Sequence, residues 1–180
     1  MLVGIVNFYK SKTDYINNLC DALKFIGCNI VVINYKDDWF NIIKSSHIRN
    51  WFLSGSSFSV LDNKSPQISK EILDLTSKRF FLICYSMESF LFNMGCNLIK
   101  RKKYISESII LNMNNNKLDV FRNHQYYIEP ESLKADMKLI AIYNDETMTV
   151  KYKNIMMTQW HPENSIDGIK ILKQWLSLKK

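Results

Sequence analysis

The chain has 180 residues, with 24 Lys and Arg against 17 Asp and Glu for a formal net charge of +7, and is 47% hydrophobic and 13% aromatic. A chain of this size buries roughly two thirds of its unfolded surface in one core, which excludes global disorder and makes disulfide or metal staples unnecessary. No apolar run approaches the roughly 20 residues that span a bilayer, and the opening Met1-Leu2-Val3-Gly4-Ile5-Val6 lacks the basic segment and small-residue cleavage site of a secretory leader, so a cytoplasmic protein with no membrane partner is expected.

Four cysteines, Cys20, Cys28, Cys84 and Cys96, form no CxxC pair and no Cys/His ligand spacing. That argues against a zinc site and against a disulfide framework, and reduced thiols are expected. The basic run Lys100-Arg101-Lys102-Lys103 stands without an aromatic-interleaved stripe or a helix-turn-helix pattern, so it reads as a solvated loop and no nucleic-acid partner is expected.

Along the chain, Leu2 to Phe8 is nearly all apolar, as a strand buried on both faces must be. Ile16, Leu19, Cys20, Leu23 and Ile26 then recur at helical spacing from Asp14, behind a candidate cap at Thr13 and before a stop at Gly27. Residues 29–34 (NIVVIN), 50–53 and 79–83 (RFFLI) read as further strands, and Ser65-Pro66 as the opening of a helix running to about Leu75. Strands alternating with helices at this rhythm predict right-handed crossovers and a doubly wound α/β fold. The second half has a different rhythm: residues 109–111, 118–121, 137–143, 147–152 and 155–158 are short strands separated by turns such as Asn114-Asn115-Asn116 and Asn144-Asp145, which predicts an antiparallel extension of a mostly parallel sheet. A closing helix from about Ile166 places Ile169, Leu172, Trp175 and Leu176 on one face. No linker or internal repeat divides the chain.

Three segments carry chemistry. In Phe80-Phe81-Leu82-Ile83-Cys84-Tyr85-Ser86-Met87-Glu88 an apolar strand runs into a cysteine, and Met87, Phe90, Leu91 and Met94 follow at helical spacing until Gly95. A strand, sharp turn and helix raise the turn residue above the C-terminal edge of the sheet, and the helix N-terminus favours a thiolate there. A buried, inert cysteine fits the same segment equally well. In Thr158-Gln159-Trp160-His161-Pro162-Glu163, residues i and i+2 of an extended segment share a side, so Glu163 can bind one imidazole nitrogen of His161 and leave the other for a thiol. A bland reading places both simply at the start of a helix. Ser54-Gly55-Ser56-Ser57 ends a strand in small residues whose amides can hold an oxyanion, or it is an ordinary surface turn.

Together, and in this order, these motifs resemble the class I (triad) glutamine amidotransferase family, whose corresponding motifs read SGGP, GxCxGxQ and HPE. The resemblance runs from Met1 to Lys180 and implies a single amidotransferase domain with a flavodoxin-like sheet, needing no metal or cofactor. It implies that Cys84 attacks the side-chain amide of glutamine, that His161 carries the proton to departing ammonia, and that Glu163 orients His161. Amides at Tyr85 and in the Gly55-Ser56 loop would hold the oxyanion, and a separate synthase would accept the ammonia. Asn123-His124-Gln125-Tyr126 falls where the family often carries a histidine loop beside the glutamine pocket, which adds His124 and Gln125 as candidates. Five positions depart from the family pattern: Ser56, Ser57, Leu82, Ser86 and Glu88 stand for Gly, Pro, Gly, Gly and Gln. A positive φ at Ser56 or Ser86 would cost about 1–2 kcal/mol, and Glu88 puts a carboxylate beside the intended thiolate. The same triad supports a γ-glutamyl hydrolase acting on other γ-glutamyl compounds, and the departures also suit a catalytically weak protein kept for regulation or binding.

Overall fold

The computed structural model describes residues 1–10 and 14–178, so the candidate cap at Thr13 lies outside the described residues. Its elements in chain order are β1 (Leu2–Asn7), α1 (Asp14–Phe25), β2 (Asn29–Asn34), α2 (Trp39–Ser45), β3 (Asn50–Leu53), β4 (Arg79–Ile83), α3 (Tyr85–Asn93), β5 (Leu98–Met113), β6 (Asn116–Ile128), β7 (Lys138–Tyr143), β8 (Glu146–Tyr152), β9 (Ile155–Thr158) and α4 (Ile166–Ser177). One seven-stranded sheet has the order β2-β1-β3-β4-β9-β8-β7, and β5 and β6 form a separate two-stranded ribbon. The first five strands of that order are parallel, while β8 and β7 extend the sheet antiparallel. This is the mostly parallel α/β architecture that the sequence predicts. No helix of the described residues is long and apolar enough to cross a membrane.

Alternation along the parallel strands gives them two packed faces, and a third apolar cluster, around Leu111, Val120, Met148 and Trp160, lies between the ribbon and the antiparallel strands. Val3, Ile5, Phe52, Phe81 and Ile83 face α1 and α4, where they meet Leu19, Leu23, Leu172 and Trp175. Val6, Trp51, Leu53, Phe80 and Leu82 face the other way, onto Ile43 of α2 and Met87, Phe90 and Leu91 of α3. Because both faces are covered, β3 and β4 are buried at every position, which explains their unbroken apolar runs. Gly4 is required by this packing, since a Cβ there would stand 2.3 Å from the Trp51 ring. Arg79, at the start of β4, donates to the carbonyls of Trp175 and Leu178 and so closes the C-terminal end of α4.

Four sequence expectations are corrected. Pro66 does not open a helix: only a 3-10 turn at Lys70–Asp74 forms, capped by Ser69. The backbone before it is held by α3 instead, with the Pro66 carbonyl accepting from Tyr85 Oη and the Ile68 amide donating to Ser89 Oγ. The helix α2 is too short to leave a periodic signature, and the sequence reading passes over it. Residues 109–111 and 118–121 are fragments of a hairpin of 16 and 13 residues, closed by Asn114 and Asn115 at φ 49° and 65°. The basic run is part of β5 and not a loop: Lys100 pairs with Tyr126 and Ile105 with His124, so residues 101–104 bulge from the ribbon. Arg101 pairs with Glu146, which also binds Arg122 at 3.1 Å, and Arg122 reaches Glu107 at 2.5 Å. This charge cluster ties the ribbon to the start of β8.

Candidate active site

Register alone brings the three motifs together. Leu53 pairs with Leu82 and Ile83 with Thr158, so β3, β4 and β9 end side by side, and the residues that follow them, Ser54, Cys84 and Gln159, leave the sheet as neighbours. This is the C-terminal edge where open α/β sheets bind ligands.

Cys84 has φ 49° and ψ −109°, a conformation that costs a non-glycine residue about 1–3 kcal/mol. The surroundings over-determine it. Its amide donates to the Thr158 carbonyl at 2.7 Å, its carbonyl accepts from the Glu88 amide at 3.0 Å, and residues 85–91 of α3 are all buried. The thiol is 3.7 Å from the Asn123 carbonyl of β6 and 3.7 Å from Nε2 of Gln159. Burial and then the Glu88 carboxyl push the thiol well above its ordinary pKa, the Tyr85 amide opposes them, Glu163 adds to the rise, and Gln159 lowers it. The helix N-terminus therefore does not deliver the lowered thiol pKa that the sequence suggests, because desolvation outweighs it.

His161 donates its backbone N–H to the Phe121 carbonyl of β6, and its Nδ1 lies 2.9 Å from Glu163 Oε1, both side chains being buried. A carboxylate on Nδ1 fixes the ring and directs Nε2 to other work; Nε2 is buried without a hydrogen-bond partner. Pro162 and Glu163 form a 3-10 turn, and Ser165 then caps α4 by accepting from the Gly168 amide. The small-residue loop meets both groups. A Cβ built on Gly55 would lie 2.8 Å from Tyr9 Oη, 3.0 Å from His161 Cε1 and 3.6 Å from Cys84 Cβ, so only glycine fits between them. A cleft of about 140 Å³ opens here, lined by Tyr9, Tyr15, Ser56, Ser57, Tyr104, Asn123 and His161. A larger cleft of about 530 Å³ lies at the opposite edge of the sheet, by Arg79 and Trp175, away from Cys84.

The departures acquire physical roles. Neither Ser56 nor Ser86 has positive φ, so the strain penalty does not arise. Ser86 Oγ donates to the Ser54 carbonyl at 2.6 Å, and Ser56 Oγ donates to the Phe8 carbonyl at 2.8 Å, fastening the loop to the elbow and to the segment after β1. Leu82 is a fully buried core residue of β4, and Ser57 is exposed at the cleft. Glu88 is 5% exposed and accepts from Gln159 Nε2 at 2.8 Å. Burial pushes its pKa up to about 8 against that hydrogen bond, so the carboxyl is mostly neutral at pH 7.

The structure does not bring every candidate to the cleft. His124 lies on β6 rather than in a loop, and its buried ring sits between the Tyr126 carbonyl, 2.6 Å from Nδ1, and Glu146 Oε2, 3.7 Å from Nε2. Burial, with the nearby Arg122 and Arg101, holds its pKa down to about 4, so the neutral ring donates from Nδ1. Gln125, next along the strand, projects to the opposite side. Tyr85 is buried, with its hydroxyl on the Pro66 carbonyl, and only its amide addresses the sulfur. Sequence reasoning did not single out Gln159, Tyr9, Tyr15, Tyr104 or Asn123. Of these, Gln159 and Asn123 carry a sequence signal, since each lies within a motif read for chemistry, Gln159 two residues before His161 and Asn123 next to His124. Among the described residues no group of three His, Cys, Asp or Glu side chains is placed to hold a metal ion.

The chain matches the model of the family "Glutamine amidotransferase class-I" over residues 5–176. It is 31% identical over 114 residues to the GMP synthase [glutamine-hydrolyzing] of Wigglesworthia glossinidia brevipalpis, an alignment covering 61% of this chain and 21% of that protein. The chain thus spans about a fifth of that relative's length. Among solved structures it resembles a GMP synthase subunit protein from Thermoplasma acidophilum, with a TM-score of 0.72 at 17% identity, covering 98% of this chain and 92% of that one. A glutamine amidotransferase from Thermotoga maritima aligns with a TM-score of 0.70 at 14% identity, covering 97% and 81%. At these identities the two structures speak for the fold.

Proposed function

The chain belongs to the class-I glutamine amidotransferase family, and from that premise we propose that it hydrolyses the side-chain amide of glutamine through a thioester on Cys84 and releases ammonia for a separate acceptor enzyme. Residues 1–180 act in this reading as one amidotransferase domain. The observation that carries it is the packing of Gly55 against both His161 and Cys84, with Glu163 on the far nitrogen of the imidazole.

In the proposed reaction His161 Nε2 takes the thiol proton as Sγ attacks the amide carbon of glutamine. The carbonyl π electrons move to oxygen, where the Tyr85 amide and the Gly55-Ser56 loop offer donors. The tetrahedral intermediate collapses with loss of ammonia, protonated by His161, and leaves a γ-glutamyl thioester. Water, deprotonated by His161, then attacks the thioester and frees glutamate and the thiol. Glu163 stabilises the imidazolium formed in each half. Burial raises the thiol pKa, so proton transfer to His161 accompanies attack rather than preceding it.

Glu88 supports glutamine as the substrate. A neutral carboxyl offers one donor and one acceptor, the complement of the Gln that the family carries there, whereas a residue gripping a substrate ammonium group would need to be charged and free. Its engagement with Gln159 disfavours such a grip on the amino group of another γ-glutamyl compound. The similarity to GMP synthase favours an acceptor of that kind. Four free cysteines suit a reducing compartment such as the cytoplasm. The test is to incubate the purified protein with glutamine and measure ammonia and glutamate separately. Equal amounts of both are expected, falling by roughly 10⁴-fold or more in Cys84→Ala; turnover that survives that change would overturn the reading.

A further inference from the structure

We propose that Gln159 is a positioning residue for the nucleophile: its carboxamide nitrogen spans the Glu88 carboxyl and the Cys84 sulfur, and it passes the charge state of the one to the reactivity of the other. The proposal rests on the glutaminase reading and adds a residue to it.

The backbone of Gln159 is pinned on two sides. Its own amide donates to the Met148 carbonyl of β8 at 2.9 Å, and the preceding carbonyl, of Thr158, holds the Cys84 amide at 2.7 Å. The side chain has one direction left, into the interior beneath Cys84, where it is 0% exposed. There Nε2 lies 2.8 Å from Glu88 Oε1 and 3.7 Å from Cys84 Sγ. A carboxamide nitrogen carries two hydrogens, so it can serve both partners at once. Its carbonyl oxygen, meanwhile, is buried without a partner. An unpaired buried acceptor is destabilising, and leucine or methionine would fill the space without that penalty. The N–H groups are therefore the part of this side chain that the site uses.

The coupling has a definite sign. With Glu88 neutral, both donors are ordinary hydrogen bonds, and the one on sulfur favours the thiolate. When Glu88 ionises, its bond to Nε2 becomes charge-assisted and shorter, drawing the carboxamide from the sulfur, while the new charge opposes a second anion nearby. Both effects slow reactions of the thiol above the Glu88 midpoint. The other titratable groups facing the sulfur and Glu88 are His161 and Glu163 beyond β9, Tyr85 on α3, Tyr9 beyond β1 and Tyr104 on β5. Tyr9, Tyr85 and Tyr104 are all shifted upward, so they remain neutral through the relevant range, and all five are common to the variants compared.

The experiment measures the rate of Cys84 alkylation by iodoacetamide from pH 6 to 10, resolved by peptide mass spectrometry, in wild type, Gln159→Leu and Gln159→Met. It is paired with kcat and KM on glutamine and with thermal melts. The apolar variants are expected to alkylate about tenfold more slowly at pH 7.5, with kcat down by a similar factor and KM within about twofold. Glu88→Gln should speed alkylation at pH 9 in the wild-type background and do so distinctly less in the Gln159→Leu background. If neither apolar variant folds, Gln159→Glu keeps the volume and should likewise slow alkylation. Variants whose melting point moves while alkylation profile and kcat match the wild type would overturn the proposal and leave Gln159 a core filler. A wild-type chain that shows these alkylation shifts in its variants but releases no glutamate would instead retire the glutaminase reading and leave the positioning role standing.

Discussion

Replacing Glu88 by Gln removes a buried proton-binding group while keeping its shape and its bond to Gln159, and the consequence for stability follows from linkage. In the folded chain Glu88 holds its proton up to about pH 8, whereas its ordinary value is 4.5. Between those values the native state binds a proton that the unfolded chain has released, so stability must fall as pH rises through the window. The stabilisation is fully present below pH 4.5 and is lost by the time pH passes about 8. Each pH unit inside the window costs the wild type about 1.4 kcal/mol, with an upper limit of about 5 kcal/mol over the whole of it. Solvent screening discounts this little, because the side chain is 5% exposed. Glu88→Gln has no such proton. In melts at whole pH units from 5 to 9, the wild type should lose about 3–5 °C per unit relative to the variant and then run parallel to it above pH 8. Curves parallel throughout would refute the burial argument for Glu88.

The remaining predictions concern the neighbours of this site. His161→Ala should reduce the chemical step more than Glu163→Gln, and the double variant should match His161→Ala rather than the product of the two losses, as kcat on glutamine will show. Gly55→Ala introduces a Cβ 3.0 Å from His161 Cε1 and 2.8 Å from Tyr9 Oη, so kcat should fall about 10²-fold with a stability loss of roughly 1–3 kcal/mol in urea titrations. Glu146→Gln leaves Arg101 and Arg122 without their shared carboxylate and should cost about 3–5 kcal/mol, read as a lowered urea midpoint. Cys20→Ala, on α1 and half-buried, should lower stability modestly and leave kcat unchanged.

How much was legible in the sequence depended on whether an element had one environment along its length. The run 79–83 is buried at every position and is followed by helical spacing, so β4, the turn at Cys84 and α3 could be read directly. The ribbon could not, because β5 is exposed over most of its outer half and buries only Ile109, Leu111 and Met113, which left three alternating residues as the whole signal. Proline at 66 predicts a helix start from local propensity, and side chains of α3 overrode it by capturing the same backbone groups. His124 read as a loop residue because the charges that surround it, Arg122 beside it in the chain and Glu146 and Arg101 far from it, assemble only in the fold. Serine in place of glycine at 86 suggested strain, yet its helical backbone and its bond to Ser54 turn the substitution into a tie. Gln159 and Glu88 lie 71 positions apart, and only the pairing of β4 with β9 makes them partners.

Whether Cys84 is a nucleophile for the glutamine side chain is decided by a glutamine-shaped electrophile, 6-diazo-5-oxo-norleucine, followed by peptide mass spectrometry of all four cysteines. One equivalent on Cys84 is expected, slowed by excess glutamine in competition for the site, and none on Cys20, Cys28 or Cys96. Labelling spread over the other thiols, or labelling of Cys84 that glutamine leaves unchanged, would contradict that role for Cys84.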